Sequence, residues 1–503
     1  MLSAERPTVT VEEPMVPPPM SLRELAGAVP GSMLTQDTQV HGIAYDSRRV
    51  VDGVLFVAMP GTHADGHRYA AAAVEAGACA IVVERELPLR IPQLVVPSVR
   101  RAIGPLAGEF YGRPSDRLRV VGVTGTNGKT TTCTLVRTCL ESAGIAAGQI
   151  GTVGTIFLGR TIPTSLTTPQ APELQWTLRQ MAEAGVRAVA MEASSHGLDQ
   201  GRLDGIAFDV GVFTNLSREH LDYHHTMEQY FEAKTALFDP MRCRTAVIGI
   251  DDDWGRRLAG RVEVPVITFG RDADADVRVQ VEERGLSGIV VRIACADGDV
   301  TIPSPLIGEV NAPNVAAAYL SVRSLGVTPE VAARGVAAPA PPGRFELVDE
   351  GQDFLVVVDY AHTPDALAAL IATSRRLAAG RVLVVLGARG GRDRGKRPLI
   401  GEIVAGADQV FFTTDSPGDE PIAEIIRALY RGTLESGKNT RVIVEPDRRR
   451  AIELAVRAAS TGDVVLIVGR GHEQFQRIGE ETLQLDDRVA ARQALDARLG
   501  DHG

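Results

Sequence analysis

Short apolar runs, each closing on a polar cluster, recur along this chain and alternate with longer amphipathic stretches. The runs "GVLFVAMPG" and "ACAIVVE" flank an alanine-rich stretch at residues 70–76 and predict a small α/β unit. Further on, "VVGVTGTNGKT", "AVAMEASSHGLDQ", "VGVFTNLSREHLD" and "TAVIGIDDD" each begin as a strand and end polar. The last third repeats the style in "LVVVDYAHTPDAL", "VLVVLGARGGRDRGKRP", "VFFTTDSPGDEP" and "VVLIVGRGHE". Strands alternating with helical segments predict an α/β fold on doubly wound, mainly parallel sheets. In such sheets ligands bind beyond the carboxyl ends of the strands, where these polar clusters fall.

Two breaks divide the pattern. Residues 111–119, "YGRPSDRLR", are polar and contain a proline, and residues 338–346, "APAPPGRFE", are rich in proline and glycine. Residues 1–20 carry five prolines, which predicts a disordered tail. The expected domains are therefore 21–112, 113–342 and 343–503. Three is also what 503 residues predict at roughly 150 per domain.

The 53 basic and 63 acidic residues leave a net charge of -10, which argues against nucleic acid or an anionic membrane as partner. It leaves room for a small anionic ligand wherever basic groups gather locally. Cys79, Cys133, Cys139, Cys243 and Cys295 are scattered, without CxxC or Cys/His metal spacing, and predict reduced thiols in the cytoplasm. No apolar run approaches the roughly 18 residues that span a bilayer. The start lacks a signal-peptide pattern. We expect a cytoplasmic monomer.

Gly125, Thr126, Asn127, Gly128, Lys129 and Thr130 follow the strand at 120–123 and open a helix with Thr131. A glycine turn lets backbone N–H groups approach phosphate oxygens, and the helix N-terminus adds partial positive charge. Lys129 would reach the terminal phosphates, and the Thr130 hydroxyl would meet Mg²⁺. Glu192 ends the next strand and offers a hard oxygen ligand. His220 follows another strand; alone it is weak evidence for Mg²⁺. Lys234 in "FEAKTALF" reads as a solvated helix residue. From these residues a kinase, an ATPase and an ATP-driven ligase all remain open, each using ATP and Mg²⁺.

"GTNGKTTT", "MEASSHGLDQGR", "FTNLSREHLDYHHTMEQYFEAK", "PGRFE", "DYAHTPDAL", "GKRPLI" and "GRGHE" occur in one order across residues 21–488. Together they resemble the Mur ligases, most closely those that add the third residue of the peptidoglycan stem. The resemblance implies a three-domain architecture with a central P-loop sheet and a Rossmann-like C-terminal domain. It also implies small-molecule substrates: ATP, UDP-MurNAc-L-Ala-D-Glu and an amino acid joined through an acyl phosphate. By the same resemblance Thr130, Glu192 and His220 help hold the metal, and Lys234 is a carbamate associated with it. Lys129, Glu192, His220 and Lys234 together form the implied catalytic set. Asn314, Arg344, Asp359 and His362 become ATP contacts. Tyr45, Ser47, Thr62, His63 and Ala64 become uridine-side contacts, and Thr167, Thr168, Ser194, Gln200 and Arg202 contacts to the sugar-peptide. Arg392, Asp415, Ser416, Pro417, Gly418, Gly469 and Glu473 become the amino-acid pocket.

One departure bears on specificity. Members that add meso-diaminopimelate usually read Asp-Asn-Pro-Arg where this chain reads Asp415-Ser416-Pro417-Gly418, and that arginine forks onto the substrate's distal carboxylate. Gly418 cannot do so, and Asp419 and Glu420 follow it. The expected substrate is therefore L-lysine or another basic diamino acid. Arg470, where the family commonly has lysine, is a mild departure. Two competing readings are a paralogue sharing the ATP machinery, folate-type or in specialised metabolism, and a non-catalytic nucleotide-binding regulator. The uridine-side segment at 45–69 argues against a folate enzyme, and retention of Lys129, Glu192, His220 and Lys234 argues against the regulator.

Overall fold

The computed structural model describes residues 17–61, 65–295 and 298–500. Most of the expected tail, residues 1–16, lies outside the described residues, as do Thr62, His63 and Ala64. Among the described residues no helix is long and apolar enough to cross a membrane.

One compact unit gathers Met1–Gly122, Gly144–Gly211 and Ala236–Arg244. Its five-stranded sheet runs Met33–Leu34, Gln93–Val95, Ala80–Val83, Val54–Val57, Gly42–Ala44, parallel except at the first strand. The central strands Val54–Val57 and Ala80–Val83 are apolar throughout because both faces are covered. Leu55, Val57, Val82 and Leu94 pack with Ile103, Leu106 and Phe110 of the helix Val99–Phe110. Phe56, Ile81 and Val83 pack on the other side with Ala70 and Ala73 of the helix Ala70–Glu75, the stretch expected from its alanines. Elsewhere in this unit Ala188–Glu192 lies parallel to Ala147–Gly151, which continues antiparallel into Gly154–Phe157 and Arg160–Ile162.

The other unit comprises Val123–Ala143, Val212–Thr235 and Thr245–Gly503. Cys243–Gly249, Val266–Gly270 and Val277–Gly285 are parallel neighbours. Gly288–Cys295 and Gly298–Ser304 then form an antiparallel meander, which departs from the mainly parallel expectation. Residues 277–282 of the neighbouring strand alternate between apolar and polar, the pattern of a strand with one wet face.

The six-stranded sheet has the order Glu346–Leu347, Leu355–Asp359, Val464–Val468, Val382–Leu386, Gln409–Phe412, Arg441–Val444, with only the first strand antiparallel. The central strands Val382–Leu386 and Val464–Val468 are buried along their whole length. Each such side chain contributes about 1.5–3 kcal/mol of transfer free energy. Leu367, Ile400, Ile425 and Leu429 cover one face, and Ala451, Ile452, Ala491 and Leu495 the other. The parallel strands ending at Asp359, Val468, Leu386 and Phe412 are neighbours, so the loops that follow them gather along one edge. Those loops carry "YAHTP", "GRGHE", "GARGGRDRGKRP" and "TTDSPGDEP".

Candidate functional site

The strand Arg119–Thr124 delivers the glycine turn, and the helix Lys129–Ser142 leaves it. Gly128 has φ +89, and a Cβ there would stand 2.2 Å from Asn314 Oδ1, so both conformation and space require glycine. Asn127 N donates to Asn215 Oδ1 at 3.0 Å, and Thr214 Oγ1 donates to Asn127 O at 2.6 Å, which fixes the turn. Lys129 Nζ donates to the Gly125 and Thr126 carbonyls at 2.9 and 2.8 Å. Arg344 Nη2 donates to the buried Thr130 hydroxyl at 3.3 Å.

A cavity of about 490 Å³ opens beside this turn. Asn127, Gly128, Thr131, Asn314, Arg344, Asp359 and His362 line it, so seven of the expected nucleotide contacts converge on one space. Phe269, Leu306 and Ile307 supply an apolar wall. A polar, helix-capped end and an apolar slot suit a nucleotide, whose phosphates and base ask for opposite surroundings. The Arg344 guanidinium lies 4.6 Å over the Tyr360 ring, and its buried Nε has no acceptor among the described residues. Asp359 accepts from the Phe345 and Ala361 amides, both at 2.6 Å, and burial raises its pKa against the pull of Arg344. His362 Nδ1 meets the Tyr360 carbonyl at 2.8 Å. Burial, reinforced by the Lys396 charge, holds the His362 pKa well below the ordinary value, so the ring is neutral.

Lys234 reverses the reading of its sequence. It lies in the helix Met227–Thr235 with 1% of its surface exposed, its Nζ donating to Gly125 O at 2.9 Å and sitting 4.5 Å over the Tyr230 ring. Burial first, then the neighbouring Lys129 charge, pushes its pKa well below that of a free lysine. A neutral amine is the form that adds CO₂. His220 adopts the left-handed region at φ +57, a conformation stored at few non-glycine positions, and its ring stands edge-on to Tyr230. Just before it in the chain, Glu219 accepts from Lys396 Nζ at 2.9 and 3.2 Å, and Arg218 pairs with Asp393 at 3.1 Å.

Among the described residues no group of three His, Cys, Asp or Glu side chains could hold a metal by itself. The Thr130 hydroxyl is a hard oxygen donor, and a carbamate on Lys234 would add two more. That donor chemistry fits Mg²⁺ that arrives with nucleotide oxygens.

The first unit brings a different expected set together. Thr168 Oγ1 donates to Glu192 O at 2.7 Å and meets Ser194 Oγ at 2.9 Å, and Arg202 Nη1 donates to Thr168 O at 2.9 Å. Gln200 Oε1 accepts from Arg202 Nε at 3.1 Å. Thr167 Oγ1 meets Thr152 Oγ1 at 3.2 Å, and Thr152 N donates to Glu192 Oε1 at 2.8 Å. Ser194 also caps the helix Ser195–Asp199 through Gly197 N. Tyr45 donates to Glu173 Oε1 at 2.7 Å, and Ser47 opens the short 3₁₀ turn Ser47–Arg49.

At the edge of the six-stranded sheet, Asp415 is 2% exposed and its Oδ1 accepts no hydrogen bond among the described residues. Ser416 Oγ accepts from Arg470 Nη1 at 3.2 Å and from Arg477 N at 3.3 Å. Pro417 is buried beside it. Gly418 has φ +57 with open space around its Cβ position. Gly469, at φ +106, passes within 3.2 Å of Asp415 Oδ2 measured from its Cβ position. Glu473 accepts from Arg389. Arg392 is exposed, with no hydrogen bond or ion pair among the described residues. Arg470 is wholly buried, donating to the Phe475 and Leu485 carbonyls, so the change from lysine belongs to a built network.

The acidic pair invoked for a cationic substrate needs correction. Glu420 accepts from Arg397 at 2.7 and 2.8 Å, lies 3.3 Å from Arg394, and is held at a pKa of about 2 chiefly by Arg397. Its charge is already spent. Arg389 pairs with Glu473, 84 residues away, and no local spacing joins them.

Comparison with known proteins agrees with this arrangement. Residues 39–111 match the Mur ligase family catalytic domain, 123–322 the Mur ligase middle domain, and 343–471 the Mur ligase glutamate ligase domain. The UDP-N-acetylmuramoyl-L-alanyl-D-glutamate--2,6-diaminopimelate ligase of Geobacillus thermodenitrificans is 42% identical over 95% of this chain and 100% of its own. The protein of the same name from Listeria monocytogenes is 40% identical over 96% and 100%. A solved structure of a ligase with that name superposes with a TM-score of 0.66 at 33% identity, covering 92% of this chain and 96% of the other.

Proposed function

The chain belongs to the Mur ligase family, and from that premise we propose that it is an ATP-dependent ligase adding 2,6-diaminopimelate to UDP-N-acetylmuramoyl-L-alanyl-D-glutamate. One observation carries the reading. A P-loop cavity bordered by Arg344, Asp359 and His362 occurs in the same unit as a cluster of charged side chains at the carboxyl edge of the six-stranded sheet. The first takes ATP; the second takes the amino acid. Relatives at 40–42% identity carry the diaminopimelate name, and of the two acids that favoured lysine Glu420 is neutralised by Arg397 and Arg394.

The reaction joins two anions, so positioning and charge neutralisation carry most of the rate. The turn amides and the helix N-terminus hold the phosphates, and Lys129 and Arg344 neutralise charge on the transferring group. The acceptor's terminal carboxylate attacks the γ-phosphorus, and ADP leaves. The amino acid's α-amine then attacks the acyl phosphate, and phosphate leaves as the amide forms. Arg392 holds the α-carboxylate, beside Gly469 and Glu473. Thr130, His220 and the carbamate of Lys234 would hold Mg²⁺, which when bound neutralises phosphoryl oxygens. Glu192 keeps its proposed metal role, tested by the Mg²⁺ dependence of Glu192→Gln. Tyr45, Ser47, Thr167, Thr168, Ser194, Gln200 and Arg202 are proposed for the UDP-sugar-peptide.

The test is product mass from ATP, Mg²⁺, UDP-MurNAc-L-Ala-D-Glu and a panel of amino acids. The mass of the meso-diaminopimelate adduct, formed in preference to lysine or ornithine adducts, is expected. Preferential lysine or ornithine transfer would restore the expectation drawn from Gly418. No adduct at all would overturn the ligase reading.

A further inference from the structure

Arg389 stands in the amino-acid pocket with no role in the reaction as derived so far. Its guanidinium donates to Glu473, and its Nε lies 3.9 Å from the Asp415 carboxylate. About a third of its side chain, 32%, remains exposed, so it is anchored on the pocket wall and still reachable. The turn opposite supplies nothing of this kind. Gly418 has no side chain, its N–H donates to Arg477 O at 3.4 Å, and its carbonyl accepts from Gly479 N at 2.8 Å.

The charges around the pocket balance. Asp415, Glu473 and Asp487 face Arg389, Arg470 and Arg448: Arg470 lies 3.6 Å from Asp415 and 3.8 Å from Asp487, and Arg448 pairs with Asp487 at 2.7 Å. A substrate ending in a lone ammonium would add an uncompensated positive charge to this neutral set. One whose far end carries both an ammonium and a carboxylate adds none. Asp415 Oδ1, buried and accepting no hydrogen bond among the described residues, is an acceptor for the ammonium. Arg389 is the donor that remains for the carboxylate, with the planar fork that carboxylates match.

We propose that Arg389 is the specificity-determining residue for the distal end of the amino acid, turning from Glu473 to grip a distal carboxylate and thereby supplying the guanidinium that Gly418 lacks. This rests on the ligase reading above.

The experiment compares the wild-type protein with Arg389→Met and Arg389→Lys, measuring tripeptide formation with meso-diaminopimelate and with L-lysine. For Arg389→Met, KM for meso-diaminopimelate should rise at least about 30-fold, the cost of removing one partner from a desolvated charge pair. KM for ATP should stay within about twofold. Turnover of L-lysine should hold or improve, because Glu473 then lacks its internal cation. Arg389→Lys should fall between the two. Adding Gly418→Arg to Arg389→Met should recover part of the meso-diaminopimelate activity, since nothing lies within 4 Å of the Cβ position of Gly418, although its φ of +57 strains any side chain there. If both amino acids decline in parallel in Arg389→Met and Arg389→Lys, Arg389 is structural and the proposal fails. Should Arg389→Met not fold, the meso-diaminopimelate to lysine ratio of Arg389→Lys decides: a lowered ratio supports the proposal, an unchanged one overturns it. A wild-type protein that adds neither amino acid defeats the ligase reading itself, a result distinct from an unchanged ratio.

Discussion

Replacing Lys396 by Met should destabilise the unit that contains it by about 3–5 kcal/mol, because the change strands Glu219 in the interior. Lys396 Nζ lies 2.9 and 3.2 Å from the two Glu219 oxygens, and the side chains are 8% and 7% exposed. At 2.9 Å and an effective dielectric of about 20, Coulomb attraction is about 6 kcal/mol. Desolvating the two ions costs several kcal/mol each, so the intact pair contributes little net stability. Removing one partner keeps the other's desolvation cost and loses the attraction. Glu219 also precedes His220, whose φ of +57 is held in place by its surroundings, so the variant should perturb catalysis beyond stability. The assay is urea unfolding of wild type, Lys396→Met, Glu219→Gln and the double variant, read as a double-mutant cycle. The account predicts that the double variant is more stable than Lys396→Met, with a coupling energy above about 2 kcal/mol. Additive losses below about 1 kcal/mol each would refute the reasoning, since that is how a solvated surface pair behaves.

Three further outcomes follow from the site. Gly128→Ala should weaken ATP binding at least about tenfold in a calorimetric titration, because φ +89 and the Asn314 oxygen both exclude a Cβ; unchanged affinity would contradict that geometry. Lys234→Ala should lose ligase activity and regain part of it with added short carboxylic acids, whereas no rescue at any concentration would count against the carbamate. His362, whose pKa is depressed by burial, binds its proton only in the unfolded chain below about pH 6.5. Its contribution to stability is therefore complete above that pH and is lost as pH falls toward the folded value, by at most about 1.4 kcal/mol per unit. His362→Gln should flatten that slope, and a slope unchanged by the substitution would show that other groups set it.

The nucleotide half of the site was legible in the sequence because its signal is local. A strand, a glycine turn and a helix lie within 24 residues, from Arg119 to Ser142. The parallel strands of the last third were legible for the same reason, being apolar runs ending in polar clusters. The antiparallel meander from Val277 to Ser304 was not, because its pairing is set by which strands meet in the fold rather than by a local signal. Lys234 looked solvated because burial depends on what the rest of the fold lays over it: Tyr230 beneath its amine and the Gly125 carbonyl ahead of it. Glu420 looked free because its partners, Arg394 and Arg397, come from a segment more than twenty residues earlier. The pairing of Arg389 with Glu473 depends on two strand ends that only the sheet order makes neighbours.

The account turns on phosphoryl transfer to the acceptor's carboxylate before the amide forms. The most direct measurement labels the free carboxylates of UDP-MurNAc-L-Ala-D-Glu with ¹⁸O, runs the reaction with ATP, Mg²⁺ and meso-diaminopimelate, and weighs the released phosphate. One ¹⁸O per phosphate formed is the predicted result. Unlabelled phosphate accompanying amide formation would contradict it.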